Sequence, residues 1–160
     1  MSKTSVKSLK IVCYVLLALI PLWLIVYGIY SYGVFTSTGG EDIIHWDSPR
    51  IGIKVAVFIA HRVALFTMAV LLAAFVINIL KNLKNGTIFN RANVILLWVM
   101  VIVLTIYSFL SDNIDIAYAP TEHFDLVISD NMFLYPLVAL IIALLYKIAY
   151  DTAEEQKLTI

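Results

Sequence analysis

Three residues bring charge or a titratable ring into an otherwise apolar run: Lys54, His61 and Arg62. A helix would place Lys54 two turns from Arg62 on one face. An arginine at the centre of a bilayer costs at least ~2.5 kcal/mol on insertion scales, so its presence demands an account. Three accounts fit the residues. The helix projects beyond the hydrocarbon and carries His61 and Arg62 to the interface. Alternatively, Arg62 pairs with an acid, the candidates being Asp112, Asp115 and Asp130. In the third account, Lys54, His61 and Arg62 line a polar cavity that binds an anionic or polar ligand.

Other chemistries find less support. The segments 33–50 and 111–131 hold most of the acids, together with His45 and His123. Hard cations favour such oxygen-rich loops. Yet there is neither an Asp-x-Asp-x-Asp-Gly loop nor a His-Glu-x-x-His helix, so these acids read as a solvated surface and no metal is expected. Gly39-Gly40 is a turn without the sequence context of a phosphate cradle, and no cofactor motif appears. No serine sits in a nucleophile elbow with histidine and aspartate partners. Cys13 is the single cysteine, which excludes an internal disulfide and a Cys-x-x-Cys redox pair. It reads as a small apolar residue buried in a helix.

The elements that must position these groups follow from composition. The chain is 62% hydrophobic and 14% charged, against about half and a quarter in soluble domains. Bilayer is therefore the expected solvent. A helix crosses ~30 Å of hydrocarbon with ~20 apolar residues. Runs at about 11–32, 51–80, 92–110 and 132–150 meet that length. The first follows Lys3, Lys7 and Lys10 but is too long for a signal-peptide core, so it reads as a retained anchor. Pro21 lies mid-span, where a kink is expected. The second run is overlong, and its clean hydrocarbon part begins at Val63.

Charge sets the orientation. Lys3, Lys7, Lys10, Lys81, Lys84, Arg91, Lys147 and Lys157 fall on one side if four spans alternate, and most acids fall on the other. The expected fold is all-α: one polytopic domain of four transmembrane helices in an antiparallel bundle, with both termini cytoplasmic. Segments 33–50 and 111–131 are then acidic exoplasmic loops, 81–91 a basic cytoplasmic connector and 151–160 a cytoplasmic tail. Tyr27, Tyr30, Tyr32, Phe35 and Trp46 crowd the outer end of span one, and Tyr135, Tyr146 and Tyr150 flank span four. Aromatic residues favour those headgroup levels. Asn85-Gly86-Thr87 matches a glycosylation sequon but faces the cytoplasm in this scheme.

The connector has local turn chemistry. Gly86 suits a left-handed helix end. Asn90 suits the N-cap of span three, with Phe89 and Val94 as a hydrophobic staple. The alternative reading is a docking loop in which Lys81, Lys84, Gly86, Phe89 and Asn93 meet a cytoplasmic protein, aided by Leu158 and Thr159 of the tail. Its basic residues also suit anionic lipid heads. The four-span plan, the pattern Gly86-x-x-Phe89-x-x-x-Asn93 and the ending Glu154-Glu155-Gln156-Lys157-Leu158-Thr159-Ile160 together resemble the bacterial integral-membrane family filed as domain of unknown function 2975. Lys157 departs from that family's acidic-then-Leu-Thr ending. The resemblance implies no established activity. It implies a link to a small helix-turn-helix regulator, beside which members are often encoded.

Gly52, Ala56, Ala60 and Ala64 recur every fourth residue, as do Ala139 and Ala143. Such rows allow close helix packing, or alternatively a homodimer seam. The function expected from these observations is non-enzymatic: sensing, or relaying to (or sequestering) a cytoplasmic partner, in a bacterial inner membrane. The chain carries no nucleic-acid-binding module of its own. An oligomeric or accessory transport subunit is the alternative, and a small membrane enzyme centred on His61 and Arg62 comes third.

Overall fold

The computed structural model describes residues 3–36, 44–84, 88–120 and 125–158, with the side chains of Lys3, Asn131, Lys157 and Leu158 outside that description. Gly86 and Thr159, expected to dock a partner, lie outside the described residues, as do His123 and the sequon. The described residues form helices α1 (Lys3–Phe35), α2 (Ile51–Lys84), α3 (Arg91–Asp112), α4 (Asp115–Tyr118) and α5 (Asn131–Leu158), with no strand among them. α1, α2, α3 and α5 are each long and apolar enough to cross a membrane.

Large apolar side chains stand outward along all four. Ile29 on α1 is 69% exposed and Leu145 on α5 is 61% exposed. Water would not tolerate so much continuous apolar surface, whereas lipid does. The main contacting pairs are α1 with α2, α2 with α3, α3 with α5, and α4 with α2. The long helices thus pack in chain order, as short connections favour.

α1 continues as one helix through Pro21, which is exposed. α5 runs on to Leu158, so the segment expected as a polar tail is helical. Lys147 and Asp151 form an exposed i,i+4 ion pair there at 2.5 Å, a contact of small energetic weight. Asn90 caps α3 as the sequence predicts, its side-chain oxygen accepting from the Asn93 backbone N–H at 2.7 Å.

One packing expectation needs correction. Gly52, Ala56 and Ala60 are exposed, and of that row only Ala64 is buried. α2 instead packs through Lys54, Phe58, His61, Arg62, Leu65 and Ala69, an adjacent stripe of bulkier side chains. By contrast, Ala143 on α5 has no exposed surface, consistent with close approach to the neighbouring helix.

The segment 111–131 also holds more structure than a solvated loop. α4 lies against α2, and Ala117 joins Val34, Ile44 and Phe58 in a small apolar cluster. Buried Asn113 holds the chain at Val127. Its amide donates to the carbonyls of Phe109 and Val127, and its oxygen accepts from the Val127 N–H at 2.8 Å. Ser129 donates to Asp112 at 2.7 Å. Arg50, just before α2, has φ of 55°. Its carbonyl accepts from the Ile53 N–H at 2.9 Å, so the left-handed residue turns the chain directly into the helix.

Candidate functional site

Arg62 is 8% exposed and lies where α1, α2 and α4 meet. Its guanidinium donates through Nη1 to the Tyr27 hydroxyl of α1 and through Nη2 to the Tyr118 hydroxyl of α4, the latter at 3.1 Å. Aromatic faces surround the charge. Cζ stands 4.8 Å from the Tyr27 ring centroid, 4.7 Å from Phe58 and 5.9 Å from Tyr30. A desolvated guanidinium over such faces gains about 1–2 kcal/mol each at best, so the rings offset part of the burial cost.

This arrangement answers the accounts raised by the sequence. Arg62 is not paired with Asp112, Asp115 or Asp130. Asp112 accepts from Ser129, while Asp115 and Asp130 are exposed. Tyrosine hydroxyls take the place of a carboxylate, because α4 turns Tyr118 toward α2 and leaves Asp115 at the rim. Nor does Lys54 join the site. It has no exposed surface, and its Nζ donates to Ser48 Oγ at 2.9 Å and to the Ala119 carbonyl at 2.5 Å. Lys54 fastens the segment before α2 and the end of α4 onto α2.

His61 and Arg62 line a cavity of about 290 Å³ with Tyr27, Tyr30, Tyr107, Ser111, Ile114, Asp115 and Tyr118. His61 is 5% exposed and its ring lies 5.0 Å from that of Tyr107. His61 Nδ1 and Arg62 Nε have no hydrogen-bond partner among the described residues. Orphaned buried donors and acceptors are costly, and both atoms are enclosed, so this cost falls on the packing around the cavity. Ser111 lines the same wall, but no hydrogen bond joins it to His61, so the nucleophile–base geometry of covalent catalysis is not assembled here. Among the described residues no group of three His, Cys, Asp or Glu is placed to hold a metal ion.

Helix rise gives the depth of this cavity. At 1.5 Å per residue, about 29 Å of α2 separates Arg62 from Lys81, and about 30 Å of α1 separates Tyr27 from Lys7. Both spacings equal one hydrocarbon thickness of ~30 Å. A bilayer that put the lysines at one boundary would put the Arg62–Tyr27 level at the other.

At the opposite end, the connector residues form a second polar cluster. Asn93, with no exposed surface, donates to the Tyr146 hydroxyl at 3.2 Å, and Tyr146 donates to the Ile88 carbonyl at 2.9 Å. Phe89 stacks edge-on against Tyr146 with centroids 5.1 Å apart, and Phe75 of α2 does the same at 5.8 Å. Phe89 and Asn93, expected to meet a partner, therefore turn inward onto α5. Lys81 and Lys84 are exposed.

Tyr27 and Tyr118 are the residues that sequence reasoning missed. Trp23, Tyr27 and Tyr30 recur at helical spacing on one face, a signal that also reads as an interfacial belt. Tyr118 carried no such signal, because α4 is a single turn. Comparison with family models, with curated proteins and with solved structures finds no match for this chain.

Proposed function

We propose that this chain is a multi-pass protein of a bacterial inner membrane that binds a polar or anionic ligand at the Arg62 cavity and relays that event to, or sequesters, a cytoplasmic partner. The observation that carries the reading is Arg62 itself. It is a buried guanidinium bonded through its Nη atoms to hydroxyls from α1 and α4, and it lines a cavity with His61. A group that met those atoms would change how three elements hold together. A ligand with different affinity for two packings shifts their populations, and that suffices for a sensor.

The scheme has the helices antiparallel and both termini cytoplasmic. Tyr27 against Phe66 and Phe35 against Phe58 support the first point, since α1 advances as α2 recedes. The sorting of Lys3, Lys7, Lys10, Lys81, Lys84 and Arg91 supports the second. Exposed Lys81 and Lys84 are then the partner-facing charges, and the resemblance noted above makes a small helix-turn-helix regulator the natural candidate. A photoreactive side chain at position 84 tests this in cells. It should capture a soluble protein, and Arg62→Gln should alter the yield. Unchanged capture in that variant would remove the coupling, and no capture would remove the relay.

The exposed row Gly52, Ala56 and Ala60 favours a second reading, an oligomeric or accessory transport subunit. A monomer in nanodiscs at high protein density would discard it.

A further inference from the structure

A long apolar groove neighbours the polar cavity. It is lined by α1, α2 and α3, among them Leu16, Val26, Leu65, Leu72, Leu104 and Tyr107, and its volume is about 710 Å³. Tyr107 lines both spaces, so the groove lies next to the Arg62 cavity. From Val26 to Leu16 the groove descends about 15 Å of helix, half of the ~30 Å hydrocarbon thickness. That is the depth of one leaflet.

From this adjacency we propose that the two spaces form one site for a single phospholipid of the leaflet on the Arg62 side. The inference rests on the reading of the Arg62 cavity as a ligand site and names its ligand class. The phosphate meets Arg62, and an acyl chain lies along the groove between α1 and α3. Three features favour this occupant over a free anion. The two Nη nitrogens carry four N–H donors, of which two serve the tyrosines, leaving capacity for the tetrahedral oxygens of a phosphate. The level of Arg62 matches the headgroup boundary, set by the helix lengths to Lys81 and Lys7. The groove is apolar throughout and ends at leaflet depth, as an acyl chain requires. Asp115 at the cavity rim opposes an anion, but it is exposed and therefore screened, whereas Arg62 is buried.

Native mass spectrometry of the full chain, released from detergent with added lipid, tests the assignment. Phosphatidylglycerol should be retained one per chain, at least about tenfold more tightly than diacylglycerol of the same acyl chains, because losing the phosphate strands a buried charge. Arg62→Met should remove that preference. Asp115→Asn, on the exposed rim and safe for folding, should tighten retention. Millimolar inorganic phosphate should not displace the lipid. Equal retention of diacylglycerol and phosphatidylglycerol by the wild-type chain would overturn the inference, as would weaker binding in Asp115→Asn. Displacement of the lipid by inorganic phosphate would also overturn it, yet leave the Arg62 cavity standing as a small-anion site. Only indifference of every ligand to Arg62→Met would bring down both readings together.

Discussion

Arg62 Nη2 lies 3.1 Å from Tyr118 Oη, across 56 residues of sequence. This bond, with that to Tyr27, makes one guanidinium the junction of α1, α2 and α4. Removing either hydroxyl while keeping its ring isolates the hydrogen bond from the aromatic contact. Tyr27→Phe and Tyr118→Phe should each lower stability by about 1 kcal/mol, at the modest end for charged hydrogen bonds because membrane-phase bonds are weaker than expected. The double variant should cost less than the sum, since Arg62 can turn to solvent once both ties are gone. Reversible unfolding in mixed micelles measures all three.

Lys54 poses a different question, because its charge is wholly enclosed. Lys54→Met keeps the stem but removes the donor to Ser48 and Ala119. The abandoned Ala119 carbonyl should cost about 1–3 kcal/mol. The loss should be local. Amide exchange should accelerate over residues 44–50 and 115–119, while the lower half of α2 keeps its protection.

Tyr146 plays the corresponding part at the far end. Tyr146→Phe deletes its bonds to Asn93 and Ile88 but preserves the ring contacts with Phe75 and Phe89. A stability loss of about 1 kcal/mol is expected. Asn90→Ala should cost a similar amount, about 1 kcal/mol, through the lost N-cap. If the two sites share one cooperative unit, both variants should speed proteolysis at the connector.

The two alanine rows predict opposite outcomes. Ala143→Leu on α5 forces bulk into a site with no exposed surface, and overpacking of that kind costs about 1–3 kcal/mol. Ala60→Leu on α2 meets only the surroundings and should leave the unfolding midpoint unchanged. A marked loss in Ala60→Leu, accompanied by a change in oligomeric state, would instead reveal a seam between copies.

Orientation is checked by single added cysteines, with buried Cys13 left in place. A cysteine at position 47 should react with a membrane-impermeant maleimide added outside intact cells. One at position 84 should react only after permeabilisation.

The long helices were legible in the sequence because length and apolarity alone demand them in lipid. The Asn90 cap was legible because its partner is three residues away. The contacts at the site were not. Tyr118 reaches Arg62 only because a one-turn helix folds back, and no periodicity announces four residues. Lys54 was grouped with Arg62 because helix spacing sets them on one face. Spacing says nothing about Ser48 and Ala119, which engage the Lys54 ammonium away from the cavity lining. The Gly52–Ala56–Ala60 row misled for a related reason: small residues permit close packing without compelling it, and bulkier neighbours won the interface.

The cluster of Val34, Ile44, Phe58 and Ala117 packs on the first half of α2, and the proposed placement carries that half beyond the hydrocarbon. That knot of side chains is sealed from its surroundings, while the four long helices turn large apolar side chains outward. One short polypeptide thereby obeys two solvents. Urea should loosen the watery knob at doses that spare the immersed rods, and bilayer thickness should trouble the rods but spare the knob.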